Sequence, residues 1–343
     1  MRDPKIEEDV EEIRRRLRAK GVTFEDRRVL ITGGAGFLGS WICDVLIKDG
    51  AKVWCLDNFA SGLKSNISHL LSHKNFRLIE HDVSQPIPLK EKFDFVIHAA
   101  SRASPFELEK FPIEIIKANT RGTENALEIA RKSGAKFLFT STSEVYGDPL
   151  VVPTPETYTG NVDPVGPRSA YEESKRTGEA LARAYLKEFN VDVRISRIFN
   201  TYGPRMRADG IYGRVVPRFI AQALTGKPLT VFGDGSQTRS FVYVADEIEG
   251  LLLLLTSEKA KGEVVNIGNN EEIRILDLAE IVKKITGAAL DVSFAPLPPG
   301  DPKRRCPDIT KARKLLGWSP RTSLEKGLSK TAEWFKAYIA PQV

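Results

Sequence analysis

Tyr171 and Lys175 are four residues apart, one helical turn, so both side chains fall on one face of a helix. A tyrosine and a lysine placed in this way can form a base that works near neutral pH. The obstacle is the phenol itself: its free pKa is ~10, so only about one in a thousand is ionised at pH 7. Bringing that value to ~7 takes roughly 4 kcal/mol of differential stabilisation, which close cations in a partly dry cleft supply. Upstream, at the end of an apolar run, stands Ser141-Thr142-Ser143-Glu144-Val145-Tyr146-Gly147. Its hydroxyls and carboxylate bear on what the base is used for. Tyr-x-x-x-Lys recurs by chance in many helices, so its weight depends on its surroundings.

The surroundings are regular. From Arg28 onward, short apolar strands alternate with amphipathic helices. Val29–Thr32 reads as a strand, followed by glycines and a helix through Leu38, Ile42, Val45 and Leu46 that Gly50 stops. Further strands are expected at Lys52–Leu56, Phe76–Ile79, Phe95–His98, Lys136–Thr140 and Val191–Ile198, with helices at Glu114–Ser133 and Tyr171–Phe189. Such alternation with short links predicts an α/β fold, a parallel sheet covered on both faces. Beyond Asn200, Pro204, Pro217, Pro228, Gly233 and Gly235 break up the chain, and Pro298-Pro299-Gly300-Asp301-Pro302 marks another loop. The chain therefore divides into a charged helical extension (1–26), a main domain (27–200) and a smaller C-terminal substrate-binding lobe (201–343). Some lobe segments, Val244–Leu255 among them, are expected to return to the main sheet. The extension ends near Gly21 and reads as a solvated, dispensable arm.

The totals narrow the class. With 343 residues, 41% hydrophobic and 28% charged, the composition is that of an ordinary globular enzyme. Leu251–Leu255 is far short of the ~20 apolar residues a membrane span needs. The first residues are densely charged (Glu11-Glu12-Ile13-Arg14-Arg15-Arg16), which does not predict a secretory signal. Cys43, Cys55 and Cys306 are far apart and lack metal-ligand spacing, so reduced thiols in a cytoplasmic protein, and no metal, are expected. The net charge of +6 reads as a lysine- and arginine-rich surface or as a modest field drawing in an anionic substrate. No basic run is interleaved with aromatics, so nucleic acid is not expected as a partner.

Thr32-Gly33-Gly34-Ala35-Gly36-Phe37-Leu38-Gly39 follows a predicted strand and opens a predicted helix. Gly33 permits the tight turn, Gly36 lets backbone approach a pyrophosphate, and Gly39 lets helix and strand pack closely. The helix N-terminus offers N–H groups to the phosphates. Asp57, at the end of the second strand, can accept bonds from a ribose diol and would repel a 2′-phosphate, which favours NAD over NADP. These features predict a Rossmann-type doubly wound sheet carrying NAD. A nicotinamide cation beside Tyr171 and Lys175 then favours the phenolate.

Over residues 28–335 the chain resembles an extended short-chain dehydrogenase/reductase acting on nucleotide sugars. The resemblance implies a cofactor set of Gly33, Gly36, Phe37, Leu38, Gly39, Asp57-Asn58, Ser61-Gly62, Asp82-Val83 beside the adenine, Ala99-Ala100-Ser101, Thr201, Tyr171 and Lys175. Epimerases of this family carry no acid at the Glu144 position, whereas 4,6-dehydratases carry Thr-Asp-Glu-Val-Tyr-Gly. Here Ser143 replaces the Asp and Glu144 remains, the pattern of the UDP-glucuronate decarboxylase group. Gly160-Asn161-Val162-Asp163-Pro164-Val165-Gly166-Pro167-Arg168-Ser169, Arg197–Met206, Gly213-Arg214-Val215-Val216, Gln237–Phe241 and Arg305–Ile309 resemble that group too.

The resemblance implies oxidation at C4 of a UDP-sugar uronate, loss of carbon dioxide from the resulting β-keto acid, and re-reduction or release of the ketone. Tyr171 and Lys175 would act as base, Ser143 and Thr142 would bond the developing oxyanion, and Glu144 would destabilise the carboxylate or position a water. Arg305 is a candidate proton donor, and Asn200, Arg214, Arg239, Tyr243 and Arg305 would hold the nucleotide sugar. Arg102 stands where that group has proline and is left open between a carboxylate contact and solvent. The helices over 114–133 and 171–189, with Leu181, Tyr185 and Phe189, would form a homodimer seam. A 4-epimerase of the same fold and a non-catalytic nucleotide-binding protein are the alternatives.

Overall fold

In β1 (Arg28–Thr32) Leu30 points to one side of the sheet, while Val29 and Ile31 point to the other. In β5 (Lys136–Thr142) Phe137 and Phe139 oppose Leu138 in the same way, and all six side chains are fully buried. Strands apolar on both faces need cover on both faces, and the helices between them provide it. The computed structural model describes residues 3–208, 214–298 and 300–339.

The chain runs from α1 (Pro4–Ala19) through β1, α2 (Phe37–Lys48), β2 (Lys52–Asp57), β3 (Phe76–Glu80) and β4 (Phe95–His98). Next come α3 (Pro105–Lys110), α4 (Pro112–Asn119), α5 (Arg121–Ser133), β5, α6 (Ser169–Phe189), β6 (Val193–Ile198) and β7 (Thr201–Tyr202). Then follow α7 (Val215–Leu224), β8 (Leu229–Phe232), β9 (Thr238–Ser240), β10 (Val242–Tyr243), α8 (Val244–Thr256) and β11 (Val264–Ile267). The last elements are β12 (Glu272–Arg274), α9 (Ile275–Thr286), β13 (Val292–Ala295), β14 (Arg304–Arg305), α10 (Thr310–Leu316) and α11 (Leu324–Ile339).

Seven strands form one sheet in the order β11-β6-β5-β4-β1-β2-β3, parallel throughout, as the alternation predicts. Strand order reverses between β1 and β4, which opens a crevice at their carboxyl ends. Helices α5 and α6 cover one face, and α2 and α8 the other. The second lobe holds three small sheets, β10-β7, β12-β9-β14 and β13-β8. Both α8 and β11 lie beyond residue 200 yet belong to the main body.

Two sequence expectations need correction. The single helix expected over Glu114–Ser133 is two, α4 and α5, meeting at Thr120. The break turns the Asn119 side chain inward, where its Nδ2 donates to Ser174 Oγ (2.9 Å).

The second concerns the N-terminal extension, which is neither solvated nor loosely attached. Ile6, Val10, Ile13 and Leu17 recur at helical spacing and are buried against α8 and α2. Charged neighbours in sequence hide that stripe from a count of composition. Arg16 Nη1 donates to Asp246 (3.1 Å) and Glu249 (3.2 Å), acids buried on α8, and Asp9 accepts from Tyr243 Oη (2.7 Å) and Lys330 Nζ (2.5 Å). Ile13→Ala is therefore expected to cost about 3 kcal/mol in urea unfolding, far above the ~0.5 kcal/mol typical of a solvated position.

His98 ends β4 fully buried, its ring stacked on Phe139 and its Nδ1 bonded to Thr32 Oγ1 (2.7 Å). Burial, with the charge of Lys175 in second place, pushes the imidazole down to about 3. The unfolded chain thus binds a proton between pH 3 and its ordinary 6.5 that the folded chain does not, so stability rises with pH across that window. Urea unfolding is expected to show about 2 kcal/mol less stability at pH 5 than at pH 7 from this group, a difference that His98→Gln removes.

Candidate active site

The carboxyl ends of β1, β4, β5 and β6 and the inner wall of the second lobe enclose a cleft of about 1120 Å³. Its sheet side is lined by Gly33, Gly36, Phe37, Leu38, Gly39, Ser61, Ala99, Ser101, Thr142, Ser143, Glu144, Tyr171, Lys175, Asn200 and Thr201. Arg214, Arg239 and Arg305 reach it from the lobe.

The glycine turn has the shape a dinucleotide needs. Gly33 has φ of 74°, and a Cβ there would sit 2.6 Å from Ala100 backbone. A Cβ on Gly39 would lie 2.1 Å from the Gly33 carbonyl oxygen, so only glycine lets α2 approach the turn. At Gly36 a Cβ would meet only that same oxygen (3.2 Å) and otherwise occupy the cleft, and no side chain caps the helix there. The first-turn N–H groups of α2 are thus presented to an anion. Asp57 accepts from Ala35 N (2.9 Å) and Phe59 N (2.8 Å), and burial raises its pKa. These residues fit a bound NAD.

Not every residue expected beside the cofactor lines the cleft. Asp57 and Gly62 lie behind the glycine turn, where a Gly62 Cβ would come 2.9 Å from Asp57 Oδ2. Asn58 Oδ1 caps Ala60 N (3.0 Å), Asp82 Oδ1 caps Ser84 N (2.9 Å), and Val83 packs into the core against α5. Ala100 backs Gly33.

Local chemistry places the reacting groups. Thr142 ends β5, and its hydroxyl accepts from Glu144 N (3.2 Å), which starts a tight turn over Ser143–Tyr146. Gly147 (φ 63°) ends it. The Thr142 side chain lies close enough to the Tyr171 phenol to favour its ionised form. Lys175 Nζ donates to Thr140 O (2.8 Å) and lies over the Phe139 ring (5.0 Å to its centroid). Behind them, Glu179 accepts from Ser141 Oγ (2.6 Å) and from Arg197 Nε (2.9 Å) and Nη2 (2.7 Å).

Burial pushes the Tyr171 phenol upward. Arg214, Thr142 and Arg168 pull it down, and Glu144 adds to the rise. Burial lowers Lys175 to about 7, partly offset by Glu179. The free protein thus holds Tyr171 protonated, and Lys175 brings only a partial charge near pH 7. Ionising the phenol depends on a cation arriving in the cleft.

The Glu144 carboxylate accepts hydrogen bonds from two arginines. Arg305 Nη1 donates to its Oε1 (2.5 Å) and Arg305 Nη2 to its Oε2 (3.1 Å). Arg168 Nη2 donates to the same Oε2, while Arg168 Nε donates to Glu172 Oε1 (3.1 Å). Burial alone would raise the Glu144 carboxyl, but the two guanidiniums hold it at about 2.

The other expected sugar ligands divide. Asn200 Nδ2 donates to Ser240 O (3.0 Å), Arg239 Nη2 to Asp301 Oδ2 (2.7 Å) and Arg214 Nη2 to Ala103 O (2.7 Å), all on the cleft wall. Thr201 Oγ1 donates to Glu247 (3.3 Å). Tyr243 is a correction: it is buried with its hydroxyl on Asp9, turned away from the cleft, because α1 docks over it. Arg102 contacts carboxylates, and they are those of the protein itself. It pairs with Glu107 (3.3 Å) and Glu114 (2.8 Å) and stacks on Phe111. Gly213, the first residue of a motif noted in the sequence, lies outside the described residues. Arg168 and Gln237 were not singled out, though both line the cleft. Arg168 precedes Glu172 by four residues, a pairing visible in the sequence.

Residues 29–268 match the NAD dependent epimerase/dehydratase family. The chain is 48% identical to UDP-glucuronic acid decarboxylase 1 of Xenopus tropicalis, over 92% of this chain and 74% of that one. Among solved structures, UDP-glucose 4-epimerase of Thermotoga maritima superposes with a TM-score of 0.84 at 33% identity, covering 91% of this chain and 99% of that one. UDP-glucuronic acid 4-epimerase of Bacillus cereus, solved with UDP-glucuronic acid and NAD, gives a TM-score of 0.80 at 34% identity over the same shares. A sheet with its crevice at a glycine turn, a Tyr-x-x-x-Lys helix beside it and a match over most of the length lead to one conclusion: this chain belongs to the NAD dependent epimerase/dehydratase family.

Proposed function

We propose that this protein is an NAD-dependent carboxy-lyase that converts UDP-glucuronate to UDP-xylose through a 4-keto sugar. The observation that carries this reading is Glu144, held ionised by Arg305 and Arg168 between Ser143 and Tyr171, where a dehydratase would also need an acid. Decarboxylases at 44–49% identity over most of the chain support it.

Bound NAD, cradled by Gly33, Gly36, Phe37, Leu38 and Gly39, supplies the reversible oxidation of the C4 carbinol. Tyr171 takes the C4 hydroxyl proton, and Thr142 and Ser143 bond the oxygen that becomes the ketone. The C5–C6 bond then breaks, its electron pair passing into the C4–C5 enolate while C6 leaves as carbon dioxide. A proton returned to C5 restores the ketone, and re-reduction gives the pentose with no net redox change. Glu144 does not carry protons here, because a carboxyl held at about 2 stays ionised at neutral pH. It places a fixed negative charge beside a substrate whose own negative charge is about to leave.

Arg239 suits the diphosphate, since a guanidinium makes paired bonds to phosphate oxygens, whereas the Arg305 fork is taken up by Glu144. Of the stripe on α6, Leu181 and Tyr185 pack into the core, and it is Phe189, 44% exposed, that supports a homodimer. The three free, buried cysteines fit the reducing cytoplasm.

Incubating the protein with UDP-glucuronate and NAD is expected to evolve carbon dioxide and yield UDP-xylose. A 4-epimerase gives UDP-galacturonate and no gas. Tyr171→Phe is expected to lower kcat by about 10²-fold or more. Glu144→Ala is expected to slow gas release at least about tenfold while calorimetric NAD affinity changes less than about threefold. Equal loss of both would remove Glu144 from the decarboxylation step.

A further inference from the structure

The Glu144 carboxylate stands in a line of alternating charges: Glu172, Arg168, Glu144, Arg305. The four come from three places in the fold. Glu172 lies in the first turn of α6, beside Tyr171, and Arg168 is the N-cap of the same helix. Glu144 belongs to the turn after β5, and Arg305 to β14 in the second lobe. Arg305 and Glu172 are almost wholly buried, and Arg168 and Glu144 are partly buried and line the cleft. Arg239 and Tyr171 face the same cluster.

Arg168 differs from Arg305 in what it joins. Arg305 grips Glu144 with both terminal nitrogens. Arg168 splits its fork, with Nη2 on Glu144 and Nε on Glu172. It therefore fixes the Glu144 carboxylate relative to the helix that carries Tyr171 and Lys175. A planar guanidinium can hold two carboxylates at set angles, which a lysine ammonium cannot. Removing Arg168 leaves Glu144 tied to the second lobe alone, free to move with it.

We infer that Arg168, braced by Glu172, is a positioning residue: it registers Glu144 against Tyr171 and thereby sets the balance between loss of the substrate carboxylate and simple reversal of the C4 oxidation. This rests on the decarboxylase reading above. Both outcomes begin with the same 4-keto acid. With Glu144 in register, the C5–C6 bond breaks and its electrons enter the enolate. Out of register, the keto acid persists until the ketone is reduced again, regenerating UDP-glucuronate or, from the other face, its 4-epimer. An ion pair that merely supported the fold would lower both steps together.

The test measures two quantities on one sample of holoenzyme with UDP-glucuronate: the rate of reduced-nicotinamide formation, and carbon dioxide released per C4 oxidised. Wild type must release gas, and if it does not, the decarboxylase reading itself fails. Given that it does, Arg168→Gln is expected to lower gas release per oxidation at least about tenfold, with oxidation slowed less than about threefold. Arg168→Lys, which keeps one charge on Glu144 but cannot span to Glu172, is expected to fall between, at about threefold. Glu172→Gln should resemble the lysine variant. If Arg168→Gln does not fold, as judged by its melting curve, the lysine and Glu172 variants decide by the same ratio. An unchanged ratio in the folded variants, or oxidation and gas release falling in equal proportion, overturns the inference.

Discussion

Two guanidiniums from different parts of the fold share one carboxylate, and the cleft is organised around that sharing. Arg305 arrives from the second lobe and Arg168 from the head of α6, and Glu144 sits between them at the end of β5. A buried carboxylate on its own would take up a proton to avoid the loss of hydration. Two cations reverse that preference and hold it at about 2. Breaking one pair would strand a charge inside the cleft, so the three residues are strongly coupled. The bidentate pair also ties the lobes together across the space the substrate must enter.

The rest of the architecture serves to bring those groups to one place. A parallel sheet reversing its order between β1 and β4 leaves a crevice at the strand ends, and the glycine turn leaves it uncluttered by side chains. Helix α6 lies close on β5, which sets Tyr171 beside Thr142 and lets Lys175 reach the Thr140 carbonyl. Asn119, turned inward by the break between α4 and α5, bonds Ser174 in the same helix. On the opposite face, α1 covers the acids of α8 with Arg16 and takes the Tyr243 hydroxyl on Asp9. The helix that composition presents as a charged arm is packed into the main body.

Electrostatics in the cleft also redistribute roles among familiar groups. Burial makes Tyr171 a weaker acid and Lys175 a weaker base in the free protein, so neither alone prepares the phenolate. On the proposed mechanism, positive charge entering the cleft would favour the phenolate and so couple proton removal to occupancy of the cleft. Glu144 is held at the other extreme, its carboxyl drawn down to about 2 by the two guanidiniums. One cleft thus contains a phenol waiting for a cation and a carboxylate that already has two.

Periodicity and short motifs determined a good deal. Alternating apolar strands and helices specify the parallel sheet, because a strand buried on both faces has no polar alternation. The glycines of residues 33–39, with Asp57 behind them, specify the dinucleotide turn, because local backbone geometry is written in local residue types. Ser143 and Glu144 narrowed the chemistry for the same reason. What the linear chain could not decide was partnership at a distance. Tyr243 looked like a sugar ligand until α1 packed over it, and Arg102 was left open until Glu107, Glu114 and Phe111 surrounded it. Arg168 could be seen to pair with Glu172, but its grip on Glu144, and that of Arg305 more than a hundred residues further on, exist only once the fold brings their elements together. Charge pairing falls off over a few ångströms, so which arginine meets which acid is fixed by the packing and not by the order of residues.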